Sequence, residues 1–302
     1  MAKWQKIDKE SLPQLERHYS QFEPYCHLNI VDMWGWRVGS NHWFMIGDTV
    51  VYRLNDYNDD SLYLTILGKD SAKQAIKELC RQNRRFKKIT LKCVPETTLE
   101  SLGEWGAIIS SAEDPDNHDY IFDVKSLVDF STPQLRHKYP LYRKLMRQHP
   151  NLKVRALDHN KASDRRIIYR VFKKWVSQAN SQEWQKEFLA LKRILNLRRE
   201  KMVCLGFFDG RKAIGYTVNE PEKSGYYQAF SGKADRGYRN LGLFMEHETA
   251  KFIYSHYGSR FINLQPDQGL EGLRNYKTSL GPLRHLKKYI VVIDTAKAIR
   301  SN

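Results

Sequence analysis

The sequence predicts an α/β protein made of two domains. The chain has 302 residues, which matches two domains of ordinary size. Hydrophobic residues form 41% of it and aromatic residues 12%, enough for a sizeable core and too much for a disordered chain. Runs with the two-residue period of strands alternate with runs at helical spacing along the whole chain. We place the domain boundary near residue 150, so that 1–150 and 151–302 each form one domain.

The first half predicts a mixture of helices and strands. Gly47 and Asp48 separate two apolar runs, which is typical of a hairpin turn. Ala75, Ile76 and Leu79 fall on one side of a helix. The predicted helices are 8–22, 70–82, 97–105 and 133–149, and the predicted strands are 42–46, 49–52, 62–67, 89–94 and 120–124.

The second half predicts the order β-α-α-β-β-β-α-β-α-β. Asp209 and Gly210 form a strong hairpin signal between two of the strands. Leu241, Phe244 and Met245 begin an apolar face at helical spacing. The predicted strands are 152–157, 202–208, 213–218, 226–230, 261–264 and 289–293, and the predicted helices are 162–178, 182–199, 241–257 and 270–280.

The chain is strongly basic. It has 50 Lys and Arg against 34 Asp and Glu, a formal charge of +16, which indicates a polyanionic partner: a nucleic acid, an anionic lipid or a phosphorylated substrate. Arg136, Arg143 and Arg147 share one face of the predicted helix 133–149. This face is either a solvated surface or a track for a polyanion. Peripheral contact with an anionic membrane surface is also consistent with the charge.

Several classes of protein are disfavoured. The four cysteines form no CxxC pair and lie near no histidine at metal-ligand spacing, so we expect reduced, buried thiols and no metal site. The first residues have no apolar core of a signal peptide, and no run approaches the length of a membrane span. The ten histidines form no triad with Ser or Cys that the spacing supports. We therefore expect a cytoplasmic protein without a transmembrane segment.

The stretch 226–282 predicts an anion-binding site. The strand 226–230 leads into a basic loop with Gly237 and Gly242 that opens a helix, and free loop amides at a helix N-terminus bind anions. Arg274 and Lys277 lie about one helical turn apart on a later helix. The alternative is that the two glycines only shape a turn.

The element order of the second half resembles that of the GCN5-related N-acetyltransferase superfamily. In that superfamily the loop opening the third helix binds the pyrophosphate of coenzyme A, with the pattern Gln/Arg-x-x-Gly-x-Gly/Ala. Arg239 and Gly242 match this pattern, and Phe244 replaces its last small residue. The resemblance makes acyl-CoA a candidate co-substrate, whereas the ring of Phe244 is expected to crowd a pyrophosphate.

Four stretches resemble a more specific family, the C-terminal domain of phosphatidylglycerol lysyltransferases in its stand-alone bacterial branch. They lie at 119–144, 215–220, 233–235 and 262–289. The resemblance implies two tandem acetyltransferase-like domains, each a mixed, mostly antiparallel sheet flanked by helices, as in Fem-type peptidyltransferases. The chain departs from the family pattern at Gly232 and Gln265, where acidic residues are usual.

The resemblance implies an acyltransferase or aminoacyltransferase. Its donor would be an aminoacyl-tRNA or an acyl-CoA, and its acceptor a lipid, a peptide or a small molecule. The chemistry is attack on an ester by an amine or hydroxyl group, which needs a base and donors near the developing oxyanion. The second domain is expected to carry the active site. A protein that keeps the fold but only binds tRNA or another polyanion is the alternative.

Asp267 is the candidate that deprotonates or orients the attacking group. It could instead cap the predicted helix 270–280 or pair with Arg274 to organise the loop. Lys233, Arg274 and Lys277 are candidates for catalytic contacts with phosphate or the oxyanion, and surface salt bridges are their alternative role. The resemblance also implies a set of substrate-binding residues: Glu220, Arg239, Gly242, Asn263 and Gly269.

Overall fold

The computed structural model describes residues 2–37, 39–56, 61–179, 184–222 and 224–301. The chain forms two compact units. The first contains residues 1–118 and 286–302, and the second contains residues 119–285. Each unit is built around one sheet of seven strands in the described residues.

Helices and strands alternate along the described chain. Up to residue 118 they are β1 (Gln5–Lys6), α1 (Leu12–Tyr19), α2 (Ile30–Gly35), β2 (His42–Ile46), β3 (Thr49–Asn55), β4 (Leu62–Leu67), α3 (Ala72–Gln82), β5 (Lys88–Pro95), α4 (Glu96–Leu102) and β6 (Ile108–Glu113). From residue 119 they are β7 (Asp119–Asp123), α5 (Val124–Asp129), α6 (Pro133–Gln148), β8 (Leu152–Leu157), α7 (Ala162–Ala179), α8 (Trp184–Leu195), β9 (Val203–Asp209), β10 (Lys212–Pro221), β11 (Tyr226–Ala234), α9 (Leu241–Tyr257), β12 (Phe261–Asn263), α10 (Glu271–Ser279), β13 (Arg284–Leu286), β14 (Lys288–Asp294) and α11 (Thr295–Arg300).

Both sheets are mixed and mostly antiparallel. The first has the order β1-β2-β3-β4-β5-β14-β6 and the second the order β13-β7-β12-β11-β10-β9-β8. β4 runs parallel to β5 in the first sheet, and β11 runs parallel to β12 in the second. The predicted fold class, an α/β protein of two domains that each contain a mixed, mostly antiparallel sheet flanked by helices, is confirmed.

The two halves exchange one strand each. β7 precedes residue 150 but pairs antiparallel with β12 of the second sheet, and β14 returns to pair with β5 and β6 of the first. The predicted boundary near residue 150 therefore lies inside the second unit, and the chain passes between units at 118–119 and 285–286. Periodicity identified both strands, but it carries no information about which strand each one pairs with.

Three strands of the described chain were not predicted from the sequence: β1, β6 and β13. β6 was not predicted because five of its six residues are exposed, so it shows no alternation between apolar and polar side chains. The predicted helix 182–199 corresponds to α8, and its first two residues lie outside the described part of the chain.

One face of the second sheet packs against α9. Tyr227, Ile262 and Phe122 stand opposite one another on β11, β12 and β7 and share a core with Leu243 and with other α9 residues. Residues that stand opposite each other in adjacent strands point to the same face of the sheet, and successive residues of one strand point to opposite faces. The row of side chains formed by the next residue of each strand therefore points away from α9. That second row begins with Gln228 and leads to the candidate site.

No helix among the described residues is long and apolar enough to cross a membrane.

Candidate active site

The second sheet opens between its two parallel strands. β11 pairs with β12 at three positions only, the last being Gln228 with Asn263. β12 ends there, whereas β11 continues to Ala234 and stays paired with β10. In the described chain, no strand pairs with residues 229–234 on the side of β12. Crevices at the carboxyl ends of parallel strands are common ligand sites, so this opening is the candidate active site.

A row of buried polar side chains crosses the sheet at the opening. Glu220, Gln228 and Asn263 stand opposite one another on three adjacent strands and are 4%, 0% and 0% exposed. Arg199 donates to the carboxylate of Glu220 at 2.9 Å and neutralises it. Asn263 donates to Asp119 at 3.2 Å and accepts from the backbone N–H of Gln265 at 2.7 Å. The predicted substrate-binding residues Glu220 and Asn263 thus meet in one row.

Gln228 differs from its neighbours in this row. Neither its amide nitrogen nor its amide oxygen has a hydrogen-bond partner within the described residues. An unsatisfied buried amide group costs about 1–3 kcal/mol, so native structures contain few of them. Sequence reasoning missed Gln228, although a glutamine inside an otherwise apolar and aromatic strand was the available signal.

The loop after β12 has a strained backbone. Gln265 has a φ of 64°, Gln268 a φ of 55° and Gly269 a φ of 73°, and the first two are not glycines. Lys277, which is 6% exposed, donates to the backbone oxygen of Gln265 at 2.9 Å and of Pro266 at 2.7 Å. Lys277 therefore fastens the loop to α10 through backbone contacts.

Asp267 is the centre of this loop. Its buried carboxylate accepts hydrogen bonds from Tyr120 at 2.6 Å, from the Gly269 N–H at 2.8 Å and from two nitrogens of Arg274 at 2.9 Å each. Burial acts to raise the pKa of Asp267, but the hydrogen bonds from Arg274, Tyr120 and Gly269 outweigh it and lower the pKa to about 2.

These contacts bear on each of the three roles predicted for Asp267. Because the carboxylate is fully hydrogen-bonded and ionised, it is poorly suited to accept a proton from an attacking group. It is also no helix cap, since Leu270 occupies the N-cap position of α10. The predicted pairing of Asp267 with Arg274 is present, so these two residues and Gly269 organise the loop.

Lys233 lies in a different ion pair. Its ammonium is 2.5 Å from the carboxylate of Glu187 on α8 and 4.0 Å from the ring centroid of Trp175 on α7. The side chain is 17% exposed. The structure thus brings Asp267, Arg274 and Lys277 together, and it places Lys233 on the side of the sheet that α7 and α8 cover.

The first residues of the loop between β11 and α9 are held by contacts of the Asp235 carboxylate. Asp235 accepts from Gln178 at 2.7 Å and from the Gly237 N–H at 3.0 Å, and Lys212 pairs with it at 3.2 Å. Arg239 is exposed. A Cβ atom added to Gly242 in the first turn of α9 would lie 3.4 Å from the hydroxyl of Tyr276.

Phe244 does not crowd this loop. It is 2% exposed and packs in the core, stacked at 5.9 Å on Tyr142 and edge-on at 6.1 Å to Phe207. The expectation that its ring would obstruct a pyrophosphate is wrong, because position 244 faces inward on α9. Tyr276, and not Phe244, is the residue whose side chain reaches the start of α9.

The predicted polyanion surface lies on α6. Leu135 and Leu145 are its buried residues, and Arg136, Arg143 and Arg147 are exposed. The helix itself contains no Asp or Glu. Within the described residues, none of the three arginines pairs with a carboxylate. They form a basic surface whose occupant stays a proposal.

Two further features lie outside the opening. A cavity of about 250 Å³ is lined by Phe122, Leu127, Thr132 and Leu135 among others, and no predicted site residue lines it. The described residues contain no cluster of three or more side chains that could hold a metal ion.

The sequence matches no protein-family model and no curated protein. The structure resembles a conserved protein of unknown function from Bacteroides thetaiotaomicron, with a TM-score of 0.83, 19% identity and coverage of 97% of this chain and 100% of that one. It also resembles the C-terminal domain of a putative lysylphosphatidylglycerol synthetase from Agrobacterium fabrum, with a TM-score of 0.66, 10% identity and coverage of 96% and 93%. A third similar structure is L-PGS from Bacillus licheniformis, with a TM-score of 0.64, 10% identity and coverage of 99% and 98%.

The class of fold follows from these likenesses. The chain has the fold seen in the C-terminal domain of lysylphosphatidylglycerol synthetases, over nearly its whole length. The predicted resemblance to that family is thereby confirmed at the level of the fold.

Proposed function

We propose that this protein is an acyltransferase or aminoacyltransferase whose active site is the opening between β11 and β12. The observation that carries the proposal is the buried amide of Gln228, which lies at the last paired position of the opening without a partner in the described chain. An amide offers one acceptor and two donor positions, which suits the polar groups of an acyl or aminoacyl ester. The fold of proteins named as lysylphosphatidylglycerol synthetases supports the same class of reaction.

Aminoacyl-tRNA is the donor that the charge of the chain supports. The formal charge is +16, and α6 presents Arg136, Arg143 and Arg147 to solvent. Arginines of this kind bind the phosphate backbone of nucleic acids. The hydroxyl of Tyr276 lies against Gly242, where acetyltransferases hold the pyrophosphate of coenzyme A, so acyl-CoA is the weaker candidate. The acceptor is a lipid, a peptide or a small molecule.

The charged residues of the loop after β12 hold the loop in position and take no direct part in the transfer reaction. Asp267, Arg274 and Lys277 hold residues 264–270 in a strained conformation beside the opening. A rigid loop of this kind keeps the substrate contacts aligned, which is worth a large part of an enzyme's rate. We therefore assign these three residues to positioning, together with Gly269.

The alternative function is binding of tRNA or another polyanion without catalysis. It is favoured by the structural use of Asp267, Lys233 and Lys277, which leaves the predicted catalytic set engaged in internal contacts. Under this alternative the α6 arginines carry the activity, and the opening beside Gln228 has no ligand.

A transfer assay separates the two functions. Total tRNA charged with a mixture of radiolabelled amino acids is incubated with the protein and a bacterial lipid and metabolite extract. We expect label to leave the tRNA and appear in the extract, and Gln228→Leu to slow this transfer by at least about tenfold, as loss of a substrate contact does. Gln5→Leu, at an exposed site in the first unit, is the control and should leave the rate unchanged. Binding of the charged tRNA without any transfer would establish the alternative.

A further inference from the structure

The buried face of α9 carries a carboxylate. Leu243, Ala250 and Ile253 lie on this face and are buried in the core between the helix and the sheet. Glu246 follows Leu243 by three residues and precedes Ala250 by four, so it belongs to the same face. It is partly buried. Carboxylates are rarely placed on a core-facing stripe unless something pairs with them.

Two tyrosines, Tyr227 and Tyr276, pack in the same core as the buried face of α9 that carries Glu246. Tyr227 of β11 is 0% exposed, and the hydroxyl of Tyr276 on α10 is buried as well. Neither hydroxyl has a hydrogen-bond partner within the described residues. Buried hydroxyls nearly always have one in native proteins. β11 and α10 thus bring two hydroxyls without a partner in the described part of the protein into the core that the buried face of α9 borders.

Burial and one nearby charge act in opposite directions on the pKa of Glu246. Burial raises the pKa of Glu246 to about 7, and the nearby charge of Lys277 on α10 acts to lower it. Burial raises the pKa of Tyr227 and of Tyr276 well above the ordinary value, and the charge of Glu246 raises both further. At neutral pH the two tyrosines are therefore protonated and can donate hydrogen bonds, and a pKa near the working pH suits Glu246 to accept and return a proton.

This cluster borders the opening. Tyr227 directly precedes Gln228 on β11, so its side chain lies at the neighbouring position along the strand on the opposite face. Tyr276 reaches Gly242 at the start of α9. Because β12 ends at Asn263, a group bound in the opening can meet side chains from both faces of the sheet.

From this placement we propose that Glu246, Tyr227 and Tyr276 form the acyl-transfer centre, in which the two hydroxyls bind the carbonyl oxygen of an ester donor and Glu246 is the proton acceptor. The inference rests on the proposed transferase function and names the groups that would perform it. None of the three residues was among those predicted from the sequence.

The reaction balances without a further reactant. The lone pair of the attacking amine or hydroxyl forms a bond to the ester carbonyl carbon, and its proton passes to the carboxylate of Glu246. The carbonyl π electrons move to the oxygen, which accepts hydrogen bonds from Tyr227 and Tyr276. When the tetrahedral intermediate collapses, the bond to the leaving oxygen breaks and that oxygen takes the proton from Glu246. The acyl group has then moved, and the donor leaves as an alcohol.

The test compares three variants with the wild-type protein, with charged total tRNA as donor in the transfer assay. We expect Glu246→Gln to lower the transfer rate by roughly 10²–10⁴, the usual effect of removing a general base. Tyr227→Phe and Tyr276→Phe should each lower it by about 10², as for an oxyanion donor. Both Phe variants should melt at the wild-type temperature or above, since each removes a buried hydroxyl that lacks a partner in the described chain. Glu104→Gln and Tyr257→Phe, at exposed sites, are the controls.

A pH profile gives a second readout that a structural role would not produce. Since the base acts when it is deprotonated, the wild-type rate should rise as the pH increases through about 7. Glu246→Gln should lose this rise. If the wild-type protein transfers label and all three variants keep rates within about twofold of it, the inference is overturned and the proposed function stands. If the wild-type protein transfers no label, the proposed function fails, and the acyl-transfer centre with it.

Discussion

Two carboxylates near one opening have opposite environments. Asp267 is surrounded by donors and has a pKa lowered to about 2, whereas Glu246 lies on an apolar helix face and has a pKa raised to about 7. Pairs of titratable groups whose pKa values are pushed apart often divide the structural and the proton-transfer roles of a site. On these grounds Asp267 stabilises the loop, and Glu246 is the group suited to catalysis.

Asp267→Asn tests the structural role. The folded-state pKa of about 2 lies below the ordinary value of 3.8. A lowered carboxyl pKa contributes stability that is complete above the ordinary pKa and is lost as the pH falls through the folded value. The variant should therefore lose about 2 kcal/mol of unfolding free energy at pH 7, and about half of that at pH 3.

Urea unfolding of the variant and the wild-type protein at both pH values measures this difference. Asp70→Asn, at an exposed position in the first unit, is the control and should change little at either pH. A stability difference that is equal at pH 7 and pH 3 would show that the carboxylate charge of Asp267 is not what holds the loop.

At the scale of elements, α6 combines an apolar and a basic side. Leu135 and Leu145 attach the helix to the second unit, and Tyr142 donates a hydrogen bond to Glu248 of α9 at 3.0 Å. Thr132 caps its N-terminus by accepting from the Leu135 N–H at 3.3 Å. The outward arginines are not needed for any of these contacts, so their charge is available for a partner.

Replacing Arg136, Arg143 and Arg147 together by Glu should weaken binding of total tRNA by at least about tenfold at low salt. The wild-type affinity should fall steeply between low and moderate salt, and the variant should show a shallower slope because fewer phosphates are neutralised. The melting temperature should stay within a few degrees, since all three side chains are exposed. Filter binding over a salt series and a thermal melt provide both quantities.

A second triple variant controls for net charge. Arg84, Arg85 and Lys87 are exposed in the first unit, and their replacement by Glu changes the charge equally. If both triple variants lose the same affinity, overall charge explains the binding and α6 is only a solvated face.

At the scale of the whole molecule, the positions of β7 and β14 in the two sheets determine which fragments of the chain can fold alone. β7 lies between β13 and β12, and β14 lies between β5 and β6, so each is an interior strand of its sheet. Removing an interior strand leaves two neighbouring edges unpaired and uncovers the core behind them.

The fragment 119–285 should fold alone and unfold cooperatively in urea, because it contains the complete second unit and lacks only the last residue of β13. The fragment 151–302 lacks β7, with the buried residues Tyr120, Ile121 and Phe122, and should aggregate or bind a hydrophobic dye. Circular dichroism and urea titration of both fragments measure the difference. Cooperative unfolding of 151–302 with a midpoint equal to that of 119–285 would restore the boundary near residue 150.

Much of the local structure could be predicted from the sequence. The helix 241–257 and the strands 62–67 and 152–157 have the predicted bounds, and the hairpin turn at Gly47 and Asp48 is present. These features depend on turn chemistry and on the spacing of apolar residues within a few positions of one another. The element order that they form was sufficient to predict the fold class.

The candidate site depended on contacts that no local pattern contains. Tyr120 and Asp267, 147 residues apart, meet in one hydrogen bond, and this contact helped to change Asp267 from a candidate base to a loop anchor. Gln228 and Glu246 became candidates only when their surroundings in the fold were known. The sequence alone determined most of the helices and strands and the fold class, because these follow from short-range periodicity. Only the tertiary structure decided the strand partners and the surroundings of the carboxylates, because pairing and protonation depend on which distant groups surround a residue.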